Sequence, residues 1–130
     1  MKKKFKKILL LDDEEQINFY HTIMLTKSNA SDDIIAFESA SKALDFIKYD
    51  ETVDLILLDI NMPKINGWGF LTEFEKLDND KKEAIKIIML SSSVNDDDKK
   101  KADANPYVCK FLRKPLDKDA ISQILQQVNL

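Results

Sequence analysis

Four apolar runs of this chain end in side chains that could react: Asp12 and Asp13 follow ILLL, Asp59 follows VDLILL, Ser91 follows IKIIML, and Lys114 comes just after YVCKFL. Asp59 is the most informative, because it opens a tight segment, DINMPKING (residues 59–67), punctuated by Pro63 and Gly67. Runs of Ile, Leu and Val without polar alternation mark strands buried on both faces. A carboxylate where such a strand leaves the core lies in the crevice in which open α/β sheets bind ligands. With an ordinary carboxylate pKa near 4, it is ionised without a general base and can attack phosphorus to hold an acyl phosphate. Carboxylates, a hydroxyl and a lysine around it suit phosphoryl transfer, whose catalysis is mostly positioning and neutralising charge on phosphate oxygens.

These residues need strands that run the same way and end together. Residues 8–11, 34–37, 53–58, 85–90 and 107–112 are apolar runs of strand length, and helical patterns separate them. A helix from the DDEE segment to about Lys27 carries Ile17, Tyr20 and Met24 at helical spacing, with Phe19 and Ile23 beside them, as its face on the sheet. Ser39 caps a second helix with Ala40, Ala43, Leu44 and Ile47 at i, i+3, i+4 and i+7. Asn66 caps a third with Phe70, Phe74 and Leu77 along one side, and 78–83 reads as a charged connector. Asn95 caps a fourth, DDDKKK, whose acid-first order suits the helix dipole. With only Ala102 and Ala104 to bury, it is predicted to be marginal and exposed; Pro106 ends it. Asp117 caps a fifth, turning Ala120, Ile121, Ile124, Leu125 and Val128 inward. The alternation predicts an α/β fold: a flavodoxin-like, doubly wound, five-stranded parallel sheet in the order 2-1-3-4-5 with five helices.

Composition bounds the rest. One domain with one core suits 130 residues, so residues 1–130 are expected to form a single domain with no output domain attached. No segment approaches the roughly twenty apolar residues of a membrane span, and the basic start is followed by too short an apolar stretch for an export signal. A cytoplasmic protein is expected, with Lys2, Lys3, Lys4, Lys6 and Lys7 as a solvated lead-in to the first strand. A net charge of −3 gives no reason to expect nucleic-acid binding. The one cysteine, Cys109, excludes an internal disulfide and reads as a small buried hydrophobe. The one histidine, His21, lies mid-helix and reads as a surface or half-buried structural residue.

In the proposed order the first and third strands are neighbours, so Asp12, Asp13 and Asp59 converge on one gap. Two like charges about 4 Å apart repel by roughly 4 kcal/mol at an effective dielectric of about 20. A hard divalent ion with oxygen ligands answers that, and Mg2+ needs only one or two carboxylates plus waters. Lys114 points a second positive charge at the same place.

The chain resembles the receiver domain of two-component response regulators over essentially its whole length. The family's acidic pair is matched by Asp12 and Asp13 in ILLLDDEE and its phosphoacceptor by Asp59 in LILLDINMPKINGW, with the specific Asp-x-x-Met-Pro-x-x-x-Gly spacing. Its switch hydroxyl is matched by Ser91 in IIMLSSS, its lysine by Lys114 in FLRKP, and its mobile aromatic by Phe111. The resemblance implies that Asp13, Asp59 and the carbonyl of Asn61 hold Mg2+ with Asp12 assisting through water, and that the Lys114–Pro115 bond is cis. It also implies that phosphorylation is felt on the face of the fourth helix, fifth strand and fifth helix.

The function expected is that of a stand-alone phosphorelay receiver, a signalling protein and not an enzyme beyond self-phosphorylation and slow autodephosphorylation. Its partners would be a sensor histidine kinase or histidine phosphotransfer protein and a downstream protein target, with no nucleic acid and no membrane. Two other readings compete. A haloacid-dehalogenase-type phosphohydrolase would use Asp12 as nucleophile, but wants Asp where Glu14 stands. A non-phosphorylated interaction module would have no need of the intact set Asp12, Asp13, Asp59, Ser91 and Lys114.

Overall fold

The computed structural model describes residues 4–93 and 95–127. Its strands are β1 (Lys7–Leu11), β2 (Ile34–Phe37), β3 (Val53–Asp59), β4 (Lys86–Ser91) and β5 (Val108–Arg113). Its helices are α1 (Glu15–Lys27), α2 (Ala40–Tyr49), α3 (Gly67–Phe74), α4 (Asn79–Ala84), α5 (Asp96–Ala104) and α6 (Lys118–Gln127). All strand pairs are parallel, and the order is β2-β1-β3-β4-β5, as the pattern predicted.

Successive side chains of a strand point to opposite faces, and the central strands here feed two apolar layers. Leu9, Leu11, Ile56, Leu58, Ile87 and Met89 pack with Ala43, Ile47, Phe70 and Phe74, that is with α2 and α3, and Ala102 of α5 joins them. Ile8, Leu10, Leu55, Leu57, Ile88 and Leu90 pack on the other face with Leu25 of α1 and Ile121 and Ile124 of α6. The predicted caps form: Gly69 N donates to Asn66 Oδ1 at 2.9 Å, Asp98 N to Asn95 Oδ1 at 2.8 Å, and Ala120 N to Asp117 Oδ1 at 2.7 Å. Ser39 accepts from Lys42 N at the longer distance of 3.5 Å. Of α5, Ala102 is buried and Ala104 exposed. Val128, Lys2 and Lys3 lie outside the described residues.

Several expectations are corrected. The connector at 78–83 contains helix α4, making six helices among the described residues rather than five. None of its residues is buried; tertiary hydrogen bonds hold it, since Lys81 Nζ donates to the carbonyls of Ile47 and Asp50 at the end of α2, and Lys82 Nζ to that of Glu75. Lys7 is not solvated lead-in: its ammonium is half-buried on the Asp50 carboxylate at 2.8 Å. Cys109 is exposed. The β4–β5 register passes from Ile87↔Val108 to Ile88↔Lys110, so Cys109 falls in a bulge on an edge strand, where no layer covers it.

Helix α1 is rotated relative to its apolar stripe. Asn18, His21 and Leu25 are buried, Ile17 and Met24 are half-buried, and Phe19, Tyr20 and Ile23 face solvent. Hydrogen bonds set this rotation. Asn18 Nδ2 donates to the carbonyls of Asp12 (2.9 Å) and Phe37 (3.3 Å), while His21 Nε2 accepts from the Leu116 N–H at 3.0 Å. Leaving such buried backbone groups unpaired costs about 1–3 kcal/mol each, comparable to the gain from burying another large apolar side chain.

Candidate functional site

The register brings the reactive strand ends together. Leu11 pairs with Leu58, so Asp12 emerges beside Asp59; Asp59 pairs with Leu90, and Ser91 with Arg113, the residue before Lys114. Asp12, Asp59, Ser91 and Lys114 are all buried, with relative exposures of 3%, 1%, 0% and 8%. The Lys114–Pro115 bond is cis. Lys114 N donates to the Ser91 carbonyl at 2.9 Å, fixing the root of the lysine against the end of β4.

The Lys114 ammonium lies among three carboxylates. Its Nζ donates to Asp12 Oδ2 at 2.9 Å and reaches Glu14 Oε1 at 3.4 Å. It stands 3.2 Å from Asp59 Oδ1, an ion pair longer than its bond to Asp12. The other oxygen of Asp12 accepts from Glu14 N at 2.9 Å. Both carboxylate oxygens of Asp59 are buried and make no well-formed hydrogen bond, although the Lys114 ammonium and the Asn61 N–H lie close enough to favour its charge.

This asymmetry sets the charge states. Burial and the neighbouring Asp12 carboxylate push Asp59 up to about 6, against the opposing pull of Lys114. Burial also raises Asp12, offset in part by its hydrogen bonds from Lys114 and Glu14 N. Burial disfavours the Lys114 ammonium, yet Asp12 and Asp59 together outweigh that and hold it charged. One cation thus faces two buried anions.

The donor set suits a hard divalent ion. Asp12, Asp13 and Glu14 each offer a carboxylate oxygen, and these atoms lie within 4.8 Å of one another. The buried oxygens of Asp59 add the same hard chemistry. The sequence reading grouped Asp12, Asp13, Asp59 and Asn61; in the fold the tight carboxylate group is Asp12, Asp13 and Glu14, with Asp59 joined to it through Lys114. Asp13 and Asn61 are exposed.

Ser91 is wholly buried, and its hydroxyl is engaged within its own loop, donating to the Ser93 carbonyl at 2.8 Å and accepting from Ser93 N at 3.1 Å. Phe111 pairs with Met89 across β4 and β5 and packs half-buried against the core layer shared with α2 and α3. Sequence reasoning missed three residues. Glu14 passed for a helix-terminal acid, although it contacts Lys114. Asn18 and His21 sit among apolar neighbours, and their polarity at a mid-helix position was the signal that this face does not simply rest on the sheet.

A doubly wound 2-1-3-4-5 sheet with an acidic pocket, a lysine and a hydroxyl at its carboxyl edge defines a receiver-type signalling domain. Residues 8–126 match the family described as Response regulator receiver domain, and the chain belongs to that family. Such domains act in phosphorelay signal transduction, bind Mg2+ at an acidic pocket, and exchange signals with histidine kinases or phosphotransfer proteins and downstream targets. Chemotaxis protein CheY of Halobacterium salinarum is 32% identical over 126 residues, covering 92% of this chain and 97% of that protein. A probable methanogenesis regulatory protein, FilR2 of Methanothrix harundinacea, is 28% identical over 91 residues, which is 66% of this chain but only 57% of that longer protein. A two component response regulator from Cytophaga hutchinsonii superposes with a TM-score of 0.89 at 28% identity, covering 97% of this chain and 98% of that one. A response regulator receiver protein from Dyadobacter fermentans gives 0.85 at 29%, covering 94% and 96%. Among the described residues no helix is long and apolar enough to cross a membrane.

Proposed function

We propose that Asp59 accepts a phosphoryl group from a phosphohistidine on a partner protein, a sensor histidine kinase or a histidine phosphotransfer protein. One observation carries the choice of nucleophile: both oxygens of Asp12 are held by well-formed hydrogen bonds, from Lys114 Nζ and Glu14 N, whereas neither oxygen of Asp59 makes a well-formed one. In the transfer an Asp59 oxygen forms the new bond to phosphorus as the donor's P–N bond breaks, the electron pair leaving with the imidazole. Lys114 then exchanges its carboxylate contacts for a phosphoryl oxygen. Ser91 releases Ser93 and turns its hydroxyl to another. That turn opens space toward Phe111, and the resulting change is read on the face formed by α5, β5 and α6.

Asp12, Asp13, Asp59 and the carbonyl of Asn61 are our candidates for holding Mg2+, with Glu14 at the rim; the ion would neutralise charge on the transferring phosphoryl group. The test is incubation of the native chain with a small acyl-phosphate or phosphoramidate donor and Mg2+, followed by intact mass. Addition of one phosphoryl group to the native chain and to Asp12→Asn, but not to Asp59→Asn, is expected. Labelling that persists in Asp59→Asn, or steady phosphate release that depends on Asp12 alone, would overturn the assignment.

A further inference from the structure

The segment from Lys114 to Leu116 holds only two backbone N–H groups, because Pro115 has none. The first, on Lys114, donates to the Ser91 carbonyl at 2.9 Å. The second, on Leu116, donates to His21 Nε2 at 3.0 Å. Leu116 is wholly buried in the layer that contains Leu25, Ile121 and Ile124, so water is not at hand to replace the imidazole. The two bonds fix the two ends of a three-residue segment. From that segment the Lys114 side chain must place Nζ within 2.9 Å of Asp12 Oδ2 and 3.2 Å of Asp59 Oδ1.

We propose that His21 is a positioning residue for Lys114: by accepting the Leu116 N–H it anchors the far end of this turn and sets the direction in which the lysine enters the acceptor pocket. The placement of His21 agrees. It is 2% exposed, on a helix whose rotation keeps it inward while Phe19, Tyr20 and Ile23 are left in solvent. Acceptance at Nε2 requires the proton of the neutral ring to sit on Nδ1. The same helix holds the other partner of Lys114, since Asn18 Nδ2 grips the Asp12 carbonyl. Helix α1 therefore ties together both halves of the Asp12–Lys114 pair. A small displacement of a positioned group is enough to slow a transfer reaction by up to about a hundredfold, so the effect should appear as a rate.

The inference rests on Asp59 being the acceptor, and the experiment separates the two. Phosphorylation by a small phosphodonor with Mg2+ is followed by intact mass for the native chain, His21→Leu, His21→Gln and Leu25→Ala. Gln places an acceptor oxygen near the position of Nε2, whereas Leu removes it; Leu25→Ala loosens the same helix and the apolar layer around Leu116 but removes no hydrogen bond to the turn. The expected result is a rate at least tenfold lower in His21→Leu, restored to within about threefold in His21→Gln, and unchanged within about threefold in Leu25→Ala. The Leu116 amide, followed by 15N-resolved NMR, should move further in His21→Leu, which removes its acceptor, than in Leu25→Ala. Equal rates in the native chain and His21→Leu, or equal slowing in His21→Leu and Leu25→Ala, would overturn the positioning role. Should His21→Leu fail to fold, a slow His21→Gln with a displaced Leu116 amide supports it and native rate in spite of such displacement overturns it. No phosphorylation of the native chain would count against the acceptor assignment itself.

Discussion

Lys114 Nζ stands 3.2 Å from Asp59 Oδ1, while its shorter, well-formed hydrogen bond, at 2.9 Å, goes to Asp12. The lysine is therefore the only buried cation between two buried anions among the described residues. Replacing it by methionine, similar in reach but neutral, leaves those carboxylates facing each other. Removing one partner of a buried ion pair costs roughly 3–5 kcal/mol. We expect Lys114→Met to lose stability on that order at pH 8 and clearly less at pH 5, where Asp59 takes up a proton. Urea melts at the two pH values test this; an equal loss at both would show that packing, not charge, is at issue.

The same crowding makes the acceptor a liability to the resting fold. Asp59 is pushed up to about 6 from an ordinary 3.8, so the folded state holds the Asp59 proton more tightly than the unfolded chain does. Its favourable contribution is full below about 3.8 and is lost as pH rises through about 6. At neutral pH the ionised group opposes folding by an upper bound of about 3 kcal/mol. Asp59→Asn should accordingly be more stable than the native chain in metal-free buffer at pH 7, by about 1–3 kcal/mol. Saturating Mg2+ should narrow the gap, since an ion that binds only the folded state stabilises it by mass action. Denaturation with and without chelator measures both.

The fold was legible because β3 and β4 are apolar on both faces and helix-capping residues are local signals; Asn66, Asn95 and Asp117 bond within three residues of themselves. The site was legible to the extent that its members end strands. What escaped was set by contacts distant in sequence. The partner of His21 is 95 residues away at Leu116, and the sites that hold α4 are the carbonyls of Ile47 and Asp50, more than thirty residues before Lys81. A hydrophobic stripe could not show that polar partners fix the rotation of α1, nor could composition show a bulge at Cys109.

Two buried groups should oppose each other on acidification. Burial, reinforced by the charge of Lys114, lowers His21 to about 4 from 6.5. A depressed imidazole contributes stability above about 6.5 that is lost as pH falls toward 4, up to about 3 kcal/mol. Asp59 acts in the opposite sense over nearly the same range. The native chain should thus show a nearly flat stability between pH 6 and pH 4.5. Asp59→Asn should weaken over that interval, and His21→Gln should strengthen. Parallel profiles for all three would remove these groups as the cause.

Gly67 closes DINMPKING for a reason other than backbone freedom. No glycine here has a positive φ, and the left-handed position in the loop is Lys64, at φ 67°. A Cβ on Gly67 would meet the Asp59 carbonyl oxygen at 2.8 Å, Ile60 Cα at 2.9 Å and Met89 Cε at 3.0 Å. The methionine end can swing aside, but the two backbone atoms cannot move without carrying Asp59 with them. Gly67 N also donates to the Ile60 carbonyl at 2.8 Å, so α3 starts in contact with the acceptor's own strand end. Overpacking of this kind costs about 1–3 kcal/mol. Gly69 is the comparison: its Cβ would meet Ile65 Cγ2 at 2.9 Å, a branch methyl that shifts only with χ1 of a half-buried side chain, but no backbone atom of the Asp59 strand end. Alanine within a helix is favoured over glycine by up to about 1 kcal/mol. We expect Gly67→Ala to lower both stability and the rate of Asp59 phosphorylation, the latter by about tenfold or more as the nucleophile is displaced. Gly69→Ala should leave the rate unchanged and cost less stability than Gly67→Ala, because the Ile65 contact is offset by the helix propensity of alanine. Thermal melts and the mass-based phosphorylation assay on the two variants decide it: similar behaviour of both would mean that the contact at Asp59 is not what requires glycine at 67.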